Sequence, residues 1–147
     1  MKLLKLYSWI AGTMNDFTKQ FADNKNLYNQ ARKFWNDLEG ISLILILIPV
    51  CIGIVGAVYY YKWYNNKPGR RYTPIHWLYL FVGTILATLF ITWVVEFFMV
   101  DPKLSGAQAL EWKIAFGNAI YASGIYFLIS LIWCNTMQTN AYKMFKY

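Results

Sequence analysis

The chain has 147 residues, of which 58% are hydrophobic, 20% aromatic and only 14% charged. Because charged residues approach a quarter of an average soluble domain, this composition excludes an ordinary soluble globular protein. The net charge of +7 is better explained by basic residues beside membrane segments than by nucleic acid, for which the sequence has no motif.

Residues 1–40 are predicted to form an amphipathic helical arm. Positions spaced alternately four and three apart from Leu3 to Leu38 are apolar or aromatic, with Asn24 as the exception. Asn24 lies in the polar run 23–26, which we interpret as a turn between two helices; the alternative is a single polar residue that fixes helix register. The apolar stripe either contacts a partner or the membrane interface, or covers the chain's own helices. Its aromatic members include Phe17, Phe21, Tyr28 and Trp35.

Three apolar segments follow at 41–61, 74–100 and 114–133. A bilayer core of about 30 Å needs about 20 helical residues, so each segment is long enough to span it. The sequence therefore predicts an all-α membrane protein: three transmembrane helices over 41–135, preceded by the arm and followed by a short basic tail, 136–147. The expected surroundings are the lipid bilayer of the inner (plasma) membrane.

The first span combines a proline with small residues. Pro49 lacks a backbone N–H and is expected to kink the helix. Gly53, Gly56 and Ala57 would leave a shallow groove into which a neighbouring helix can pack.

The loop after this span is basic and contains Lys62, Lys67, Arg70 and Arg71. Basic residues favour the cytoplasmic side, so these four are expected to anchor the loop there. With the tail on the same side, the cytoplasmic Lys and Arg near the membrane are residues 62, 67, 70, 71, 143 and 146, against 32, 33, 103 and 113 outside. The predicted topology is N-out and C-in.

The second span has a polar residue at every fourth position, namely Thr84, Thr88, Thr92 and Glu96. A step of four residues drifts only about 40° around a helix, so the row shares one face. It would line a pore or form a helix-contact seam, together with Gly83 and Ala87 on the adjoining row. Glu96 is expected at the interface on the outer side of the membrane, either as a structural carboxylate or as an ion-attracting or proton-accepting group.

The third span is rich in small residues. Ala115, Ala119 and Ser123 form a predicted packing row, with Asn118 and Tyr121 available for hydrogen bonds between helices.

The sequence lacks a plausible catalytic set. His76 is the only histidine, and no paired metal-binding motif is present, so we expect neither a metal nor another cofactor. No small-molecule substrate is indicated, and the protein is not expected to be an enzyme.

These observations favour a non-catalytic subunit of an oligomeric integral membrane assembly, packed with copies of itself or with other membrane subunits. The second span could then form an ion-conducting or permeabilising pore. One alternative is a structural or anchoring subunit of a larger machine, which docks partners through the arm. Another is a holin-like membrane-permeabilising protein.

Overall fold

A computed structural model describes residues 3–64, 67 and 73–145. All regular secondary structure in the described residues is helical, without strands. The elements are a 3₁₀ helix at Leu3–Tyr7, α1 at Ser8–Ala11, α2 at Met14–Lys19, α3 at Lys25–Gly40, α4 at Ser42–Val58, a π-helical segment at Tyr59–Tyr64, α5 at Pro74–Met99 and α6 at Gln108–Thr136. Two predicted anchor residues, Arg70 and Arg71, lie outside the described residues.

Three helical segments are long and apolar enough to cross a membrane: Ser42–Tyr64, Pro74–Met99 and Gln108–Thr136. The predicted fold class, all-α with three candidate spans, is confirmed. The third helix begins earlier than the predicted start at residue 114, because Leu110 and Ile114 are both buried on one helix face despite the intervening charged residues.

The arm is divided into short helices by identifiable signals. Gly12, with φ of 75°, ends α1 in a conformation that favours glycine. Thr13 and Asp16 form a capping box at the start of α2. Turn residues follow α2, and the Asn24 side chain then accepts from the N–H groups of Asn26 and Leu27 and caps α3.

The chain divides into two compact units, and α4, α5 and α6 each contribute to both. The first unit comprises residues 1–47 and 89–118. Its core combines the buried face of the arm with the adjoining helix ends. Buried apolar residues of this unit include Tyr7, Phe17, Ala31, Phe34, Trp35, Leu38, Leu45, Val100, Leu104, Leu110, Ile114 and Ala115.

The second unit comprises residues 48–88 and 119–147 and has an aromatic core. Its buried members are Ala57, Tyr60, Tyr61, Trp77, Tyr126, Cys134 and Ala141. The Trp77 indole donates to the Ser130 hydroxyl at 3.1 Å, which satisfies its buried N–H. Phe145 of the tail packs edge-to-face on Trp77 at 5.6 Å, so the predicted basic tail contributes to this core.

The burial pattern of α5 is inverted relative to a helix of a soluble protein. Its buried residues are Trp77 and the four polar residues Thr84, Thr88, Thr92 and Glu96. Its exposed large residues are apolar or aromatic: Ile75, Leu78, Tyr79, Val82, Leu86, Phe90, Ile91, Phe97, Phe98 and Met99. Polar residues inside and large apolar residues outside are unfavourable in water, whereas hydrocarbon surroundings favour this arrangement.

Candidate functional site: a buried polar cluster and an unpaired carboxyl

A buried hydrogen-bonded cluster lies in the first unit and is centred on Asn118 of α6. The Tyr7 hydroxyl donates to Asn118 Oδ1 at 2.5 Å. Asn118 Nδ2 donates to the Leu45 carbonyl at 2.9 Å and to Thr92 Oγ1 at 3.0 Å. All four residues are fully buried. We call these groups the Asn118 cluster; it uses both N–H groups and the oxygen of the amide and connects the arm with α4, α5 and α6.

The bond to the Leu45 carbonyl has a specific cause in the sequence. In an α-helix this carbonyl would accept from the N–H of residue 49, but that residue is Pro49, within α4. Asn118 supplies the missing donor. The side chain thus compensates for the proline at a carbonyl that belongs to a fully buried residue.

The arm approaches α6 closely beside this cluster. A Cβ added at Gly117 would lie 3.1 Å from Cδ1 of Tyr7 and 3.6 Å from Cγ2 of Ile10. Gly117 therefore provides the space in which the Tyr7 ring reaches Asn118. The sequence indicated Asn118 as available for a bond between helices, but it did not indicate Tyr7 and Gly117 as its neighbours. The signals that could have suggested the cluster are an asparagine in an apolar helix and a proline that removes an N–H.

Glu96 lies one turn beyond Thr92 on α5 and is fully buried. Neither of its carboxyl oxygens has a hydrogen-bond partner among the described residues. The sequence placed Glu96 at the outer interface of the membrane, as a structural carboxylate or as an ion-attracting or proton-accepting group, and did not indicate its burial or its missing hydrogen-bond partners. The connection from α5 to α6 and the first turn of α6 also contain buried apolar residues, among them Val100, Leu104 and Leu110.

A cavity of about 160 Å³ lies in the first unit, lined by Phe97, Lys103, Leu104, Ser105, Gln108 and Glu111. The Lys103 ammonium donates to the carbonyls of Phe97 and Val100 and so satisfies acceptors at the C-terminal end of α5. Glu111, which is almost fully buried, interacts electrostatically both with Glu96 and with Lys103.

The first two threonines of the predicted row belong to the second unit. Thr84 Oγ1 donates to the Leu80 carbonyl and Thr88 Oγ1 to the Thr84 carbonyl, each at 2.8 Å. Both hydroxyls thus bond to the preceding turn of their own helix. Thr92 differs, because its hydroxyl accepts from Asn118.

The predicted small residues of the second unit occupy different environments. A Cβ on Gly53 would lie 2.9 Å from the Ala122 carbonyl oxygen, and one on Gly56 would overlap with the Thr84 side chain. Gly83 has open space around it.

The other predicted small residues of this unit differ in burial. Ala57 and Ala119 are buried, whereas Ala87 and Ser123 are partly exposed. Ser123 donates its hydroxyl to the Ile120 carbonyl at 2.8 Å.

An apolar groove of about 380 Å³ runs along α4 and α5 in the second unit. It is lined by Cys51, Ile52, Val55, Gly56, Tyr59, Leu80, Gly83, Thr84 and Ala87. Cys51 is exposed and carries a free thiol, whereas the free Cys134 is buried. Cys134 Sγ lies 3.3 Å from the Tyr61 hydroxyl.

The predicted stripe of the arm is mostly covered by the chain itself. Phe17 and Trp35 are buried and their rings lie 5.9 Å apart, Phe21 is partly buried, and Tyr28 is exposed. Of the predicted anchors, Lys62 places its ammonium 5.1 Å from the ring of Trp63. Lys67 is exposed.

The described residues contain no group of three or more His, Cys, Asp or Glu side chains that could hold a metal ion. The fold and burial pattern suggest an integral membrane protein. No protein-family profile matches the chain, and no curated protein or solved structure matches it.

Proposed function

We propose that the chain is a non-catalytic subunit of an oligomeric integral membrane assembly, in which a second copy packs along α5. The observation that carries the proposal is the inverted burial of α5. Its polar row points into the chain, while its opposite side exposes large apolar residues such as Leu86 and Phe90. Such a helix requires lipid or another apolar helix around it.

The polar row is more consistent with a helix-contact seam than with a pore lining. Thr88 and Thr92 are fully buried within the single chain, and Thr84 nearly so. The Thr84 and Thr88 hydroxyls already have backbone acceptors. A pore-lining hydroxyl would instead face water and the permeating species.

The apolar groove supports contact with a second copy because its neighbourhood is self-complementary. Gly83 has no neighbour within contact distance of an added Cβ. Tyr79 and Leu86, which lie four residues before and three residues after Gly83, are both exposed and project beside it. A ridge next to a groove allows two copies related by a two-fold axis to insert each ridge into the other's groove.

The arm is less suited to docking a partner, since Phe17 and Trp35 are buried against the chain's own residues. We therefore place the anchoring role second. The N-out, C-in orientation in the inner (plasma) membrane stays a prediction, and accessibility of an N-terminal tag in intact cells would test it.

Cross-linking through the native Cys51 thiol tests the proposed dimer. The full chain is reconstituted in phosphatidylcholine liposomes and treated with a short bismaleimide, and dimer is measured over a range of protein-to-lipid ratios. We expect a dimer that persists on dilution in lipid and is absent from Cys51→Ser. A dimer fraction that falls to the level of random collision would overturn the proposal.

A matched pair of glycine variants tests the groove itself. Gly83→Leu fills open space within the groove, whereas Gly124→Leu fills equally open space on α6 outside it. We expect the first variant to lower the cross-linked fraction several-fold and the second to leave it unchanged. Equal dimerisation in both variants would show that the groove is not the interface.

A further inference from the structure

We propose that Glu96 is a proton-binding site, reached from water through the cavity at Glu111. The inference goes beyond the assembly role and rests on the burial and missing partners of one side chain. Glu96 is fully buried, and no described residue bonds to either carboxyl oxygen. An ionised carboxylate in such surroundings lacks both solvation and compensation, and binding a proton removes its charge.

The groups around Glu96 favour the neutral acid. Among described titratable side chains, Glu111 of α6 is the one that acts on it electrostatically. The repulsion between two negative charges opposes ionisation of both. Lys103 interacts electrostatically with Glu111 while its ammonium is bonded to carbonyls at the end of α5. From the arm, the Tyr7 hydroxyl is held by Asn118.

The cavity supplies the route for the proton. Lys103, Ser105 and Gln108 provide polar lining, and Glu111 is the lining residue that also interacts with Glu96. In the proposed exchange, hydronium gives a proton to the Glu111 carboxylate. Glu111 then passes a proton through water to ionised Glu96 and returns to its carboxylate form. Proton release follows the same steps in reverse.

The neighbours of Glu96 on α5 limit how far a proton can move from this site. Thr92 lies one turn from Glu96 and belongs to the Asn118 cluster. Beyond it, the Thr88 hydroxyl is bonded to its own helix backbone. The described hydrogen bonds therefore do not form a continuous chain of free hydroxyls from Glu96 along the row. We accordingly assign proton binding and exchange from one side, not conduction along the row.

Infrared spectroscopy of the full chain in liposomes of ether-linked phosphatidylcholine tests the site directly, because these lipids lack the ester carbonyl whose stretch would overlap that of a carboxylic acid. A protonated carboxylic acid has a carbonyl stretch that is separate from amide bands and shifts in D₂O. We expect such a band at neutral pH in the wild type and in Glu39→Gln, and its loss in Glu96→Gln. Absence of the band from the wild type, or its persistence in Glu96→Gln, would overturn the proposal.

Two further measurements distinguish the site from other roles. If circular dichroism shows that Glu96→Gln fails to fold, Glu96→Asp retains a carboxyl, and we expect an acid band of shifted frequency. Its absence from folded Glu96→Asp would count against the site. A carboxylate band that responds to exchange of Na⁺ for K⁺, without an acid band, would replace the proton by a bound cation and refute the proposal.

The rate at which the band shifts in D₂O tests the entry route. Gln108→Trp places a large side chain at the cavity, while Gln138→Trp makes the same change in the tail. We expect several-fold slower exchange in Gln108→Trp and an unchanged rate in Gln138→Trp. Equal rates in the two variants would exclude the cavity as the route, even if Glu96 binds the proton.

Discussion

Replacing Asn118 with leucine should destabilise the protein through the carbonyl that Pro49 leaves without a helical donor. Leucine has the same branching and the same number of side-chain heavy atoms as asparagine, although its methyl groups are larger, so the change removes hydrogen bonds without opening a cavity. Three groups lose their partner: the Tyr7 hydroxyl, the Thr92 hydroxyl oxygen and the Leu45 carbonyl. All three belong to buried residues, so water cannot replace the amide.

The expected cost follows from these three bonds. Hydrogen bonds between membrane helices contribute about 0.6 kcal/mol on average and up to about 1.7 kcal/mol, and a buried group left unpaired costs about 1–3 kcal/mol. We therefore expect Asn118→Leu to lower the free energy of unfolding by about 2–4 kcal/mol. The Leu45 carbonyl should account for about 1 kcal/mol of this loss, since it has no alternative donor within its helix.

A double-mutant cycle isolates that contribution. Pro49→Ala restores an N–H at residue 49, which can donate to the Leu45 carbonyl as in a regular helix. In this background, Asn118→Leu should cost about 1 kcal/mol less than in the wild type. The cycle cancels the separate effects of each substitution on packing and helix propensity.

Unfolding of the four proteins in mixed micelles, followed by tryptophan fluorescence and circular dichroism, provides the free energies. The reasoning would be refuted if Asn118→Leu cost the same with proline and with alanine at residue 49. A total cost below about 0.5 kcal/mol would show that the Asn118 cluster does not stabilise the fold.

Three further outcomes are expected. Gly117→Leu should displace the Tyr7 ring and lower the free energy of unfolding by about 1–3 kcal/mol through overpacking. The arm should then be cleaved faster by added protease, and an unchanged cleavage rate would contradict the close approach of Tyr7 to α6. Thr88→Val should leave any liposome conductance unchanged, since its hydroxyl is buried and bonded to its own helix, and an altered current would restore the pore hypothesis. Hydrogen bonds from Thr13 lower the pKa of Asp16 below its ordinary value. The ionised Asp16 should therefore stabilise α2 fully above the ordinary carboxyl pKa, and this stabilisation should be lost as the pH falls through the lowered pKa of Asp16. Amide exchange of residues 14–19, corrected for intrinsic rates, should show a smaller loss in Thr13→Ala than in the wild type, because alanine retains only the backbone bond to Asp16.

The sequence predicted the helices better than their contacts, for physical reasons. The spans follow from length and hydropathy, which act locally along the chain. The Tyr7–Asn118 bond joins residues 111 positions apart, and no local pattern specifies such a pairing. The tail was predicted from its lysines as a short basic segment, while Phe145, whose ring packs on Trp77, carried no periodic signal.

For the threonine row, the sequence predicted the shared helix face, but only the structure shows what that face contacts. Its four-residue spacing fixed the shared face of α5, but spacing cannot distinguish a face turned toward water from one turned toward other helices. The backbone acceptors of Thr84 and Thr88 favour a seam, and the Asn118 bond to Thr92 makes the third member part of the fold. Glu96 alone has no described hydrogen-bond partner among the four. The members of the row therefore differ chemically. The three threonines have hydrogen-bond partners within the fold, whereas the buried carboxyl has none among the described residues and would lose its uncompensated charge by binding a proton.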